Sequence, residues 1–133
     1  MNIMLFLGIL TFLYGGNNNE GLLHIDVRER LVNNDQVRIV VQIDNNSKKE
    51  ISEIDGFLLR INNKGTIITE KRITFLEATD GVLKPKQSVS KFIVFPFDKT
   101  RPDNYEFYVG KLRFQNDYRV YTYHPAIGFY RVD

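Results

Sequence analysis

The chain has no cysteine in its 133 residues. That absence excludes disulfides, thiol nucleophiles, Cys-ligated metals and a lipid-modified N-terminal cysteine. Stability must then come from packing alone. Tryptophan is missing too, and 10 Phe and 7 Tyr supply the large rings, which suits a core of aromatic and β-branched residues on pleated strands. Charge of one sign is also scarce: 18 basic side chains against 16 acidic ones leave +2. A protein that holds nucleic acid through its phosphates carries a larger and more clustered excess, so no nucleic-acid partner is expected. The longest basic bias, residues 84–101, suits a solvated loop and strand edge. His24 and His124 are the only histidines and have no companion at metal-ligand spacing. No Asp-x-Asp-x-Asp-Gly run, phosphate-cradling loop, Gly-x-Ser-x-Gly turn or dinucleotide fingerprint occurs. No catalytic residue, metal ligand or cofactor is expected, and the chain reads as a non-enzyme.

Helical periodicity is absent as well, and alternation stands in its place. Val37, Ile39, Val41 and Ile43 alternate with Gln36, Arg38, Gln42 and Asp44, Val40 being the one exception. Successive side chains on a strand point to opposite faces, so this stretch has one buried face and one wet face. Before it, Leu23, Ile25, Val27 and Leu31 face one way and His24, Asp26, Arg28 and Arg30 the other, with Glu29 marking a bulge or a strand end. Asn33-Asn34-Asp35 turns the chain between them.

After the polar corner of residues 44–50, Phe57, Leu59 and Ile61 predict a further core face, with Leu58 opposite. Gly56 inside this run suggests a bulge or the close approach of another backbone. Asn62-Asn63-Lys64-Gly65 reads as a hairpin turn. In residues 66–76, Lys71 falls among the apolar positions, the pattern of a strand at a sheet edge. Residues 88–97, with Ile93 and Phe95 inward, are apolar on both faces and predict a central strand. Tyr105, Phe107 and Val109 alternate up to Gly110, after which Leu112 and Phe114 resume the pattern one residue out of step, so a bulge is expected at the glycine. Residues 118–123 and 128–132 complete the count. Seven or eight short strands with polar turns predict an all-β fold over residues 22–133, an immunoglobulin-like antiparallel β-sandwich.

Residues 1–16 stand apart from this pattern. They carry no charged side chain, and residues 3–14 form an almost unbroken apolar run. That length is too short to cross a hydrocarbon core of about 30 Å as a helix, but it suits the core of a signal peptide. No lysine or arginine precedes it, and no small-x-small pair sits cleanly at its end. An export signal is the favoured reading; an uncleaved anchor tethering the protein to a membrane, or a first element of the domain, are the alternatives. Residues 17–21, Asn17-Asn18-Asn19-Glu20-Gly21, then make a polar linker.

The stretch 41–97 resembles the small bacterial extracytoplasmic immunoglobulin-like modules of the FxLYD kind. It has a strand ending in Asn45-Asn46-Ser47, then Ile54-Asp55-Gly56-Phe57-Leu58-Leu59-Arg60-Ile61, then a glycine turn and another strand. A second corner, Leu83-Lys84-Pro85-Lys86-Gln87-Ser88, matches the pattern except that Lys86 stands where those modules have glycine. The resemblance implies a secreted, periplasmic or envelope-associated module and supplies no catalytic residues.

Function is therefore expected to be binding or structural, extracytoplasmic and non-catalytic, with an unknown protein or glycan partner. The alternative is an envelope protein that binds a small ligand or calcium through its sandwich loops, where most of its aspartates fall. Six of the tyrosines lie after residue 104, and pairing across strands explains most of them. Tyr108, Tyr121 and Tyr123 are the candidates for an exposed aromatic face that would meet a protein or glycan.

Overall fold

The computed structural model describes residues 22–133. The expected signal or anchor (1–16) and linker (17–21) lie outside the described residues. Eight strands follow in order: β1 (Leu23–Asn33), β2 (Gln36–Asn45), β3 (Ile51–Ile61), β4 (Ile67–Leu76), β5 (Ser88–Pro96), β6 (Asn104–Phe114), β7 (Tyr121–His124) and β8 (Gly128–Arg131). They form two antiparallel sheets, β1-β2-β5 and β4-β3-β6-β7-β8. The first, second and fifth strands oppose the third, sixth and seventh, which is the immunoglobulin-like sandwich, with β4 lying beside β3.

Val37, Ile39, Val41 and Ile43 are buried and Phe95 with them, as the alternation requires. On β3 the expected face is reversed. Ile51, Ile54 and Leu58 join the core, while Phe57 and Leu59 sit on the opposite face and Ile61 is only half buried. The cause is a bulge: Ile51 pairs with Phe114 and Glu53 with Arg113, so Ser52 is an extra residue that shifts the parity of everything after it. A second extra residue, Gly110 on β6, restores the register, since Asp55 pairs with Lys111 but Gly56 with Val109. That bulge stands where the sequence predicts it.

The two glycines of this crossing are covered by rings from the neighbouring strand. A Cβ on Gly56 would lie 2.1 Å from Phe107, and one on Gly110 would lie 2.9 Å from Phe57. A Cβ on Gly56 would also lie 2.6 Å from Tyr108 O, which is the close approach of another backbone expected there; at Gly110 the Phe57 ring would have to shift.

β4 is an edge strand, as Lys71 suggests. β5 is also at an edge rather than central. Its outward Phe92 and Val94 are exposed because, among the described residues, no element packs over that face. Glu29 stays in register opposite Ile39, and the irregularity of β1 falls later, between Leu31 and Asn33.

Both corners that carry the family resemblance meet at one buried side chain. Asn45 Nδ2 donates to Lys49 O (2.9 Å) and Leu83 O (3.0 Å), and its Oδ1 accepts from Ser47 N (3.0 Å) and Ser47 Oγ (2.6 Å). The Asn45 carbonyl accepts from Lys86 N at 2.6 Å. That contact pins Lys86 at φ 71°, a left-handed conformation natural to glycine. Replacing Lys86 with glycine should raise unfolding stability by about 1 kcal/mol. Asn45→Ala, which strands several buried polar groups, should cost about 3 kcal/mol or more. Chemical denaturation measures both.

Candidate binding surface

The outer face of the five-stranded sheet is built on the crossing of β3 and β6. Phe57 lies over Gly110 and tilts against Tyr108, with ring centroids 5.7 Å apart. Tyr108 is 44% exposed, and Tyr130 on β8 is equally open at 44%. Thr122, paired with Tyr130, faces the same side. Charged pairs border this aromatic strip: Arg72 with Asp55, and Glu53 with Lys111 (3.9 Å) and Arg113 (3.5 Å). Burial pushes the Asp55 carboxyl up, but hydrogen bonding from Arg72 and Thr74 and the charges of Arg72 and Lys111 outweigh it, holding the group below its ordinary 3.8.

The three candidate tyrosines do not share one face. Tyr108 alone is on the exposed strip. Tyr121 and Tyr123 share the parity of the inner face of β7, because Tyr121 pairs with the core residue Leu112. Tyr121 is half buried, edge-on to Phe114 at 5.2 Å, and donates to Asp117 at 3.3 Å. Tyr123 is only 5% exposed. Its hydroxyl donates to Leu23 O (3.2 Å) and accepts from Leu23 N (3.3 Å), tying β7 of one sheet to β1 of the other. The expectation of an exposed Tyr108, Tyr121 and Tyr123 face is corrected on this point: Tyr123 is a strut between the sheets.

A feature the sequence did not disclose lies beside Tyr108. β7 pairs with β6 only at Leu112–Tyr121. Thr122 Oγ1 donates to Val109 O at 2.7 Å, and β7, which ends at His124, pairs along its length with β8. Residues 104–108 of β6 are therefore bonded to β3 on one side and, among the described residues, to no strand on the other. A cleft of about 440 Å³ runs along that open edge, lined by Ile25 and Val27 of β1, Tyr105, Phe107 and Tyr108 of β6, and Tyr123 and Pro125.

The remaining candidates have local partners. His24 Nδ1 lies 3.0 Å from Asp44 Oδ2, and His124 Nδ1 accepts from Ala126 N at 3.1 Å. Asp98 accepts from Thr100, and Asp103 pairs with Arg60 at 2.7 Å. Among the described residues no group of three or more His, Cys, Asp or Glu side chains converges to hold a metal.

No protein-family model matches the chain, and no curated protein matches it. Among solved structures it is similar to the X-ray structure of a Northeast Structural Genomics Consortium target, with 7% identity and a TM-score of 0.45 over 74% of this chain and 78% of that one.

Two outcomes separate the struts from the surface. Tyr123→Phe should cost about 1–3 kcal/mol, since it leaves Leu23 N and O buried without their partner, while Tyr108→Ala should change stability far less. For Asp55, a folded pKa below the unfolded one adds stability that is present above the unfolded pKa and lost as pH falls through the folded value. The stability gap between wild type and Asp55→Asn should therefore be widest at neutral pH and close below about pH 4. Urea titrations across that range measure it.

Proposed function

We propose that this chain is a non-catalytic, extracytoplasmic binding module that takes up an extended segment of another protein along the open edge of β6. The observation that carries the reading is that edge: the stretch 104–108 of β6, flanked by an apolar cleft and by exposed Tyr108. An incoming strand would gain backbone hydrogen bonds from β6, and its alternate side chains would enter the cleft beside Ile25, Val27 and Phe107. Tyr108 contributes a rigid amphipathic ring at the rim, the kind of side chain that concentrates binding energy. A glycan would use Tyr108 but would have no call on the strand edge, so a protein partner is favoured.

The extracytoplasmic assignment is supported by the uncharged apolar run of residues 3–14 and by the resemblance of residues 41–97 to envelope modules. The non-catalytic assignment is supported by the way the titratable side chains are used, as pairs that hold strands and turns.

A photo-crosslinking residue at position 106, on the open stretch, should capture a polypeptide from envelope extract, and one at position 64, in the β3–β4 turn, should not. Capture should weaken about tenfold or more in Tyr108→Ala, as for the loss of one aromatic anchor. Equal capture at both positions, or retention on a glycan array that survives blocking of the edge, would overturn the reading.

A further inference from the structure

The outer face of the other sheet, β1-β2-β5, is divided in two. At one end His24, Asp44 and Ser88 are in register, followed by Asp26, Gln42 and Ser90. This end is satisfied within itself. Asp44 accepts from Ser88, from Gln42 (2.9 Å) and from His24 (3.0 Å), and Asp26 pairs with Arg28 at 3.0 Å. The Ser88 and Gln42 hydrogen bonds hold the Asp44 carboxyl below its usual range.

At the other end Arg28 is held by Asp26 and Gln42, but, among the described residues, the arginines beyond it are not paired. The rows at this end are Arg28–Val40–Phe92 and Arg30–Arg38–Val94. Arg30 and Arg38 stand directly opposite each other, an arrangement that destabilises a sheet when no counter-charge intervenes. Among the described residues neither has an ion pair or a side-chain hydrogen bond, and Arg38 rests on the Phe92 ring at 4.6 Å. Phe92 is 55% and Val94 41% exposed, and Val32, at the irregular end of β1, adds further exposed apolar surface. The nearest carboxylates along the chain are Glu29, on the inward parity of β1, Asp35 in the β1–β2 turn, and Asp98 beyond β5, which is bonded to Thr100.

We propose that this end of the three-stranded sheet docks on an anionic lipid surface. Arg30 and Arg38 would meet lipid phosphates, and Phe92, Val94 and Val32 would enter the boundary between headgroups and acyl chains. Two features favour a bilayer over other anions. The arginines and the exposed apolar side chains stand together on one flat sheet face, where a headgroup layer over acyl chains meets both at once and an acidic peptide would meet only the arginines. One face of Phe92 is already covered by Arg38, so a nucleic-acid base has no free platform on that side. This surface lies on the sheet opposite Phe57 and Tyr108, and its assignment does not depend on the β6 edge.

The test is flotation of the full chain with vesicles of phosphatidylcholine alone and of phosphatidylcholine with phosphatidylglycerol. The apolar N-terminal residues would act on both, so the readout is the difference between them. Binding should be stronger to the anionic vesicles and fall with salt. In Arg30→Gln/Arg38→Gln the anionic preference should drop about thirtyfold, with the thermal midpoint equal to or above wild type because a like-charge pair is removed. Arg30→Lys/Arg38→Lys should keep most of it, and Phe92→Ser should weaken binding to anionic vesicles at an unchanged circular-dichroism spectrum. Equal partition to the two vesicles, an unaltered preference in the double glutamine variant, or arginine-dependent binding of a single-stranded oligonucleotide in place of vesicles would overturn the proposal.

Discussion

The side chain of Asn45 is the constraint on which the sandwich depends. β2 belongs to one sheet and β3 to the other, so the corner between them must carry the chain across the core. A buried corner leaves backbone groups without water, and each costs free energy unless bonded. Asn45 meets that need from a single position: it bonds Lys49 O within its own corner and Leu83 O in the loop between β4 and β5. Leu83 and Ile51 then exchange backbone hydrogen bonds of 2.8 and 3.0 Å. Two corners remote in sequence become one structure. The short motifs Asn45-Asn46-Ser47 and Leu83 to Ser88 owe their form to this contact, and the strain at Lys86 is its local consequence.

The limits of reading strands from alternation appear at β3. On β2 no bulge intervenes, and every inward residue follows from the pattern. On β3 both Leu58 and Leu59 are buried, and the sequence contains no cue that Ser52 is an extra residue. A slip of one residue exchanges the faces of everything that follows. Gly110 could be located because glycine has a reason to stand at a bulge; serine has none. The burial of Tyr123 was hidden for a related reason. β7 is laddered to β6 through the single pair Leu112–Tyr121, and nothing in the sequence marks that pair. β5 misled through its exposed Phe92 and Val94, which look like core residues in one dimension.

Exposed apolar surface and unpaired strand edges are both hazards for a protein without disulfides, and the fold treats its edges unevenly. β4 sets Lys71 opposite Leu58, β5 sets Lys91 opposite Val41, and β1 sets Glu29 opposite Ile39, so each edge strand carries a charge on its inward parity. Such charges discourage another strand from pairing there. β8 is blunted by its length of 4 residues.

The open stretch of β6 has no such device. Its inward residues are Tyr105 and Phe107, and β7, only four residues long, ends before it reaches them. An edge left bare by accident would be the first site of self-association, and selection against aggregation would place a lysine there as it has on β4 and β5. On the proposed function, the contrast separates edges guarded against pairing from one left open to a partner strand. The same proposal implies a selectivity. The cleft admits side chains only from the β1 side, and Tyr108 stands on the outer face, so an incoming strand must present apolar residues at alternate positions in one register.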